Sequence, residues 1–96
     1  MMIVVTYDVS TETTAGKGRL RKVAKQCVNF GTRVQNSVFE CKMDASQFVM
    51  FRSSLLKLIN EQEDSLRFYK LGKTYNNQIE HYGNKKTPDI DGPLIF

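Results

Sequence analysis

Asp8 follows the apolar run Ile3-Val4-Val5-Thr6-Tyr7 and precedes a polar stretch from Ser10 to Gly16. A carboxylate at the end of a strand emerges from the margin of a sheet. Hard cations such as Mg²⁺ take oxygen ligands and keep several waters, so one such carboxylate anchors an ion weakly and two hold it better. The competing use is local. An Asp at a strand end also accepts hydrogen bonds from the turn amides that follow, here Ser10 or Thr11. Position alone leaves both uses open.

The second chemical feature is charge. No acid lies between Glu12 and Glu40, yet six bases do: Lys17, Arg19, Arg21, Lys22, Lys25 and Arg33. Lys17, Arg19, Arg21 and Lys22 fall in the expected first turns of a helix, where cations oppose the macrodipole. Helix propensity does not account for them, whereas a bound anion does. Arg contacts a phosphate bidentately and Lys acts as a point charge. Arg33, on the next expected strand, extends the same surface. A polyanionic partner with salt-dependent affinity is one reading, and a solvated lysine-rich face is the other.

Other candidates are weaker. Tyr7 and Phe39 fit core or interface aromatics better than base-stacking platforms. His81 is the one histidine and has no evident base or nucleophile partner, and Ser37 has no triad around it. Cys27 falls on an apolar helical stripe, as a small buried hydrophobe would.

The elements that must position these residues follow from period. Met2 to Tyr7 is a near-continuous β-branched run, expected as a central strand. Leu20, Val23, Ala24, Cys27 and Val28 then repeat at helical spacing from Lys17 to about Asn29, and Gly31 is expected to close the helix in a left-handed conformation. Thr32 to Lys42 reads as strand, with Asn36-Ser37 as a turn or a bulge. Asp44 and Gln47 are spaced as a capping box for a helix carrying Phe48, Phe51, Leu55, Leu58 and Ile59 to about Asn60. After a polar connector, Glu61 to Asp64, comes a strand from Leu66 to Leu71.

The order β-α-β-β-α-β predicts an α+β, ferredoxin-like fold: an antiparallel sheet with two helices on one face. Residues 1–72 make the core and 73–96 an extension. The extension holds one more candidate strand, Gln78 to Tyr82, and an apolar end, Gly92-Pro93-Leu94-Ile95-Phe96. It either folds back or, the favoured expectation, adds strand to the sheet edge of a neighbouring copy and so supports dimerisation.

Composition sets the outer limits. The 96 residues fit one domain, with net charge +4 and 41% apolar residues. No apolar run has the roughly 18 residues of a membrane span, and Met2-Ile3-Val4-Val5 has no basic segment before it, so neither membrane nor signal peptide is expected. Cys27 and Cys41 match no CxxC spacing and are too few for a disulfide framework, which fits a cytoplasmic protein.

Together, Ile3-Val4-Val5-Thr6-Tyr7-Asp8-Val9, the basic helix, Gly31-Thr32-Arg33-Val34-Gln35-Asn36-Ser37-Val38-Phe39-Glu40, Asp64 to Gly72 and Gly92-Pro93-Leu94 resemble the Cas-two family of CRISPR-associated proteins. The resemblance implies a ferredoxin-like homodimer acting in spacer acquisition, a step of antiviral defence. It implies a metal-dependent endonuclease on RNA or double-stranded DNA, with Asp8 as catalytic and metal-binding residue shared with Asp8 of the dimer partner. Mg²⁺ is the implied cofactor, with Mn²⁺ possible. Tyr7, Arg19, Arg21, Arg33 and Phe39 match the family's other site positions, beside Lys17 and Lys22 of the basic helix. The alternative it implies is a non-catalytic DNA-binding scaffold that bridges dimers of the CRISPR integrase, the Cas-one family.

Overall fold

The computed structural model describes residues 1–72 and 78–84. The chain runs β1 (Met2–Asp8), α1 (Thr14–Phe30), β2 (Thr32–Gln35), β3 (Val38–Lys42), α2 (Ala45–Leu56), β4 (Ser65–Leu71) and β5 (Gln78–Gly83). Its sheet is five-stranded and antiparallel, ordered β2-β3-β1-β4-β5. β1 is central, as its unbroken apolar run requires, and the ferredoxin-like arrangement expected from the element order is present.

Side chains alternate between sheet faces along a strand. Ile3, Val5 and Tyr7 therefore share one face of β1, and they join Phe39, Cys41, Leu66 and Phe68 in a core closed by Val23 and Cys27 of α1 and Phe48, Phe51 and Leu55 of α2. Phe51 sits at its centre, 4.9 Å from the ring of Phe30 and 6.1 Å from that of Phe68. Val4, Val38 and Tyr69 form a separate buried cluster on the other face.

Several local expectations shift. α1 begins at Thr14 rather than Lys17, because the Thr13 hydroxyl accepts the Gly16 amide at 3.0 Å and caps the helix earlier. Arg19, Arg21 and Lys22 thus lie beyond the first turn, where the dipole penalty has faded. Val28 is 56% exposed. Eight residues of helix turn it about 80° from Leu20, to the margin of the stripe. Gly31 is extended, with φ −156° and ψ −169°, and is not a left-handed cap. Its need for glycine is steric: a Cβ there would meet Cys41 Sγ at 2.4 Å and the Glu40 carbonyl oxygen at 2.5 Å.

Asn36-Ser37 is both turn and neighbour to a bulge, since Gln35 pairs with Val38 while the register slips between Arg33 and Gln35. The Asp44–Gln47 capping box forms reciprocally at 2.8 and 2.9 Å. α2 stops at Leu56, short of Asn60, and Leu58 and Ile59 pack from the turn that follows. The strand at Gln78–Gly83 pairs with β4 of its own chain. Glu80 fastens it there, taking hydrogen bonds from Arg52 of α2 at 2.9 Å and Tyr82 at 2.8 Å and an ion pair from Lys70 of β4. The apolar end from Gly92 to Phe96 lies outside the described residues.

Candidate functional site

β1 ends with Tyr7 facing the helices and Asp8 facing the opposite way. Asp8 stands in register with Ser65 of β4, is exposed, and its carboxylate accepts no hydrogen bond among the described residues. The turn amide it was a candidate to cap has gone elsewhere: Ser10 N–H donates to Asp64 Oδ1 at 3.1 Å. Asp8, Glu12 and Glu63 line one hollow of about 260 Å³ with Val9, Ser10 and Thr11. These are hard oxygen donors of the kind a Mg²⁺-type ion takes. Yet among the described residues no group of three or more His, Cys, Asp or Glu is close enough to hold a metal by itself. The donor chemistry fits; the ligand count among the described residues falls short.

The basic residues separate into three groups. Lys17, Arg21 and Arg33 line a groove of about 330 Å³ between α1 and the β2–β3 hairpin, with Tyr7, Leu20, Ala24 and Asn36. The Arg33 guanidinium lies 5.1 Å from the centre of the Phe39 ring, which in turn stacks with Tyr7 at 6.1 Å and 23°. Phe39 is fully buried, so it is a floor beneath Arg33 and not a surface on which a base can stack. Burial pushes the Tyr7 hydroxyl above its ordinary range, although Arg33 pulls the other way. The hydroxyl keeps its proton and donates to the Asn36 carbonyl at 3.4 Å.

Arg19 belongs to a second group. Its Nε donates to Asp64 Oδ2 at 2.8 Å, and its NH2 group reaches Asp64 Oδ1 at 3.2 Å and Glu63 Oε2 at 3.1 Å. Asp64 is fully buried. Burial alone raises its carboxyl, but Arg19 and the Asn60 and Ser10 amides outweigh that and hold it below the usual range. Lys22 and Lys25 form the third group, exposed on α1 and outside the groove lining.

Sequence reasoning missed two residues here. Asp64 looked like part of a polar connector; its only local signal is its place directly before an apolar strand. His81 does have a partner: its Nε2 lies 3.0 Å from Ser65 Oγ. That contact crosses from β5 to β4, a distance of sixteen residues that no local pattern encodes.

A family profile described as CRISPR associated protein Cas2 matches residues 1–79. This chain belongs to the Cas2 family. It is 51% identical over its whole length and theirs to a CRISPR-associated endonuclease Cas2 of Halalkalibacterium halodurans. Against a CRISPR-associated endoribonuclease Cas2 of Chlorobaculum tepidum the identity is 53%, again over both full lengths. The crystal structure of Streptococcus pyogenes Cas2 at pH 6.5 superposes with a TM-score of 0.70 and 57% identity, covering 78% of this chain and 90% of that one. The family assigned from the amino-acid pattern is therefore the family the chain matches. Among the described residues no helix is long and apolar enough to cross a membrane.

Proposed function

We propose that this Cas2 is a metal-dependent endonuclease that hydrolyses phosphodiesters of duplex DNA or RNA during spacer acquisition in the cytoplasm. The carrying observation is Asp8: an exposed strand-end carboxylate with no hydrogen-bond donor among the described residues, while the nearby Ser10 amide is satisfied by Asp64. The names of the relatives, endonuclease and endoribonuclease, support the nuclease part of this reading. Because the described residues of one chain supply too few ligands, the reading takes a homodimer in which Asp8 of each copy approaches the other. Two carboxylates brought together repel, and a shared Mg²⁺ or Mn²⁺ removes that repulsion. When bound, the ion activates a water and polarises the phosphodiester.

The chain's own residues do the rest. Lys17, Arg21 and Arg33 hold backbone phosphates in their groove and carry no sequence information. Tyr7 and Phe39 fix Arg33 from below. The deciding assay is cleavage of labelled duplex DNA and RNA by wild type and Asp8→Asn across Mg²⁺, Mn²⁺ and EDTA. Cleavage that is metal-dependent and lost in Asp8→Asn supports the reading, and an equally active variant sinks it.

One observation favours the second reading, a non-catalytic scaffold bridging CRISPR integrase dimers. The cationic groove opens beside Tyr7, on the helix side of the sheet, while Asp8 faces the other way. A scaffold needs only the groove, so under that reading spacer acquisition is normal in an Asp8→Asn strain.

A further inference from the structure

Asp64 is used by neither reading, yet it is the most densely bonded carboxylate among the described residues. Its Oδ1 accepts Ser10 N–H at 3.1 Å and an Arg19 NH2 proton at 3.2 Å. Its Oδ2 accepts Arg19 Nε at 2.8 Å and Asn60 N–H at 2.8 Å. The main chain adds to this, since Asp64 N donates to the Asn60 carbonyl at 2.7 Å and the Asp64 carbonyl accepts Asn84 N–H at 2.8 Å. Four segments meet on one residue: the β1–α1 loop, α1 through Arg19, the α2–β4 turn and the end of β5.

Two routes lead from Asp64 to Asp8. Ser65, directly after Asp64, pairs with Asp8 in the sheet, and Ser10 is two residues beyond Asp8 in the chain. The first turn of α1 is locked to the same loop, because a Cβ at Gly16 would lie 1.9 Å from the Ser10 carbonyl oxygen. We propose that Asp64 is the positioning residue of the Asp8 site, and that Arg19 serves it as a counter-ion and does not contact phosphate. This rests on the metal role proposed for Asp8. A residue that orients a ligand-bearing segment is typically worth about 10–100-fold in metal affinity or activity.

Asn is the informative replacement. Each Asp64 oxygen accepts two donors, and an amide can offer an oxygen on one side only. In the full-length Asp64→Asn protein, amide exchange followed by NMR is expected to accelerate at least about tenfold at Ser10, at Asn60 or at both. Cleavage of a labelled duplex in Mg²⁺ is expected to show kcat down about 10-fold or more with KM within about 2-fold, since the groove cations are untouched. Wild-type protection at both amides overturns the positioning role, as does wild-type kcat in a preparation where Asp8→Asn is inactive.

The counter-ion half has its own readout. Duplex binding in EDTA is measured against salt for Arg19→Gln and Arg21→Gln. The slope of log affinity against log salt is expected to fall by about 0.9 for Arg21→Gln and to stay put for Arg19→Gln. An equal fall in both makes Arg19 a phosphate contact and overturns this half. Should Asp8→Asn cleave like wild type, the metal reading fails by itself, while the amide and salt measurements still decide Asp64 and Arg19.

Discussion

Asp8 and Asp64 lie at the same end of one sheet, Asp8 closing β1 and Asp64 directly preceding β4, and have opposite fates. Asp64 is buried and saturated with donors; Asp8 is exposed and has none among the described residues. A saturated carboxylate has no lone pairs to give an ion, and a bare one holds nothing in place. Nearness to a site thus separates neither role from the other; the donors do. The cations divide by the same rule, with Arg19 spent on Asp64 while Lys17, Arg21 and Arg33 face a shared groove.

The comparison breaks most visibly in stability. Asp64→Ala strands the Ser10 and Asn60 amides and the Arg19 guanidinium, and urea unfolding is expected to show a loss of about 3 kcal/mol, the low end for breaking a buried pair because Arg19 is partly exposed. Asp8→Asn is expected to cost at most about 0.5 kcal/mol in the same experiment while abolishing metal-dependent cleavage. Equal destabilisation by the two would erase the distinction.

Acid sharpens it further. Burial pushes the Glu80 carboxyl up, but Lys70, Tyr82 and Arg52 outweigh that and hold it at about 2, against an ordinary 4.5. A carboxyl depressed by folding binds fewer protons folded than unfolded, so its contribution is complete above 4.5 and drains away as pH falls toward about 2. Thermal midpoints are expected to fall over that window, and Glu80→Gln to flatten part of the fall. Asp64, depressed in the same direction, supplies a further part that Asp64→Asn removes. The smallest effect separates the cations: Arg33→Gln is expected to lower the salt slope of duplex binding by about 0.9, and Lys22→Gln, outside the groove, to leave it nearly unchanged.

What the amino-acid pattern disclosed follows the range of the forces involved. Element order, the centrality of β1 and the Asp44–Gln47 cap are set by period and by contacts within four residues, and all were legible. Helix ends slipped because Thr13 and Leu56 are decided by single hydrogen bonds and by packing of the following turn. Gly31 was assigned the wrong reason for a right identity, since its neighbour Cys41 is ten residues away in sequence. Asp8 and the groove cations stood out by type and spacing. Asp64 did not, because its partners Ser10 and Arg19 lie 54 and 45 residues off. Only the closed fold brings them together. The anchoring of the extension's strand was hidden for a similar reason: Glu80 finds Arg52 and Lys70, 28 and 10 residues away.

Both natural thiols are sealed in the core, and burial lifts Cys27 to about 12 and Cys41 to about 11. At neutral pH almost no thiolate is available to an alkylating reagent. A lone cysteine installed on the outer face of α2, for instance Ser46→Cys, can therefore carry a fluorophore with the native pair left in place. Energy transfer between two such labels would report directly on the spacing of paired subunits.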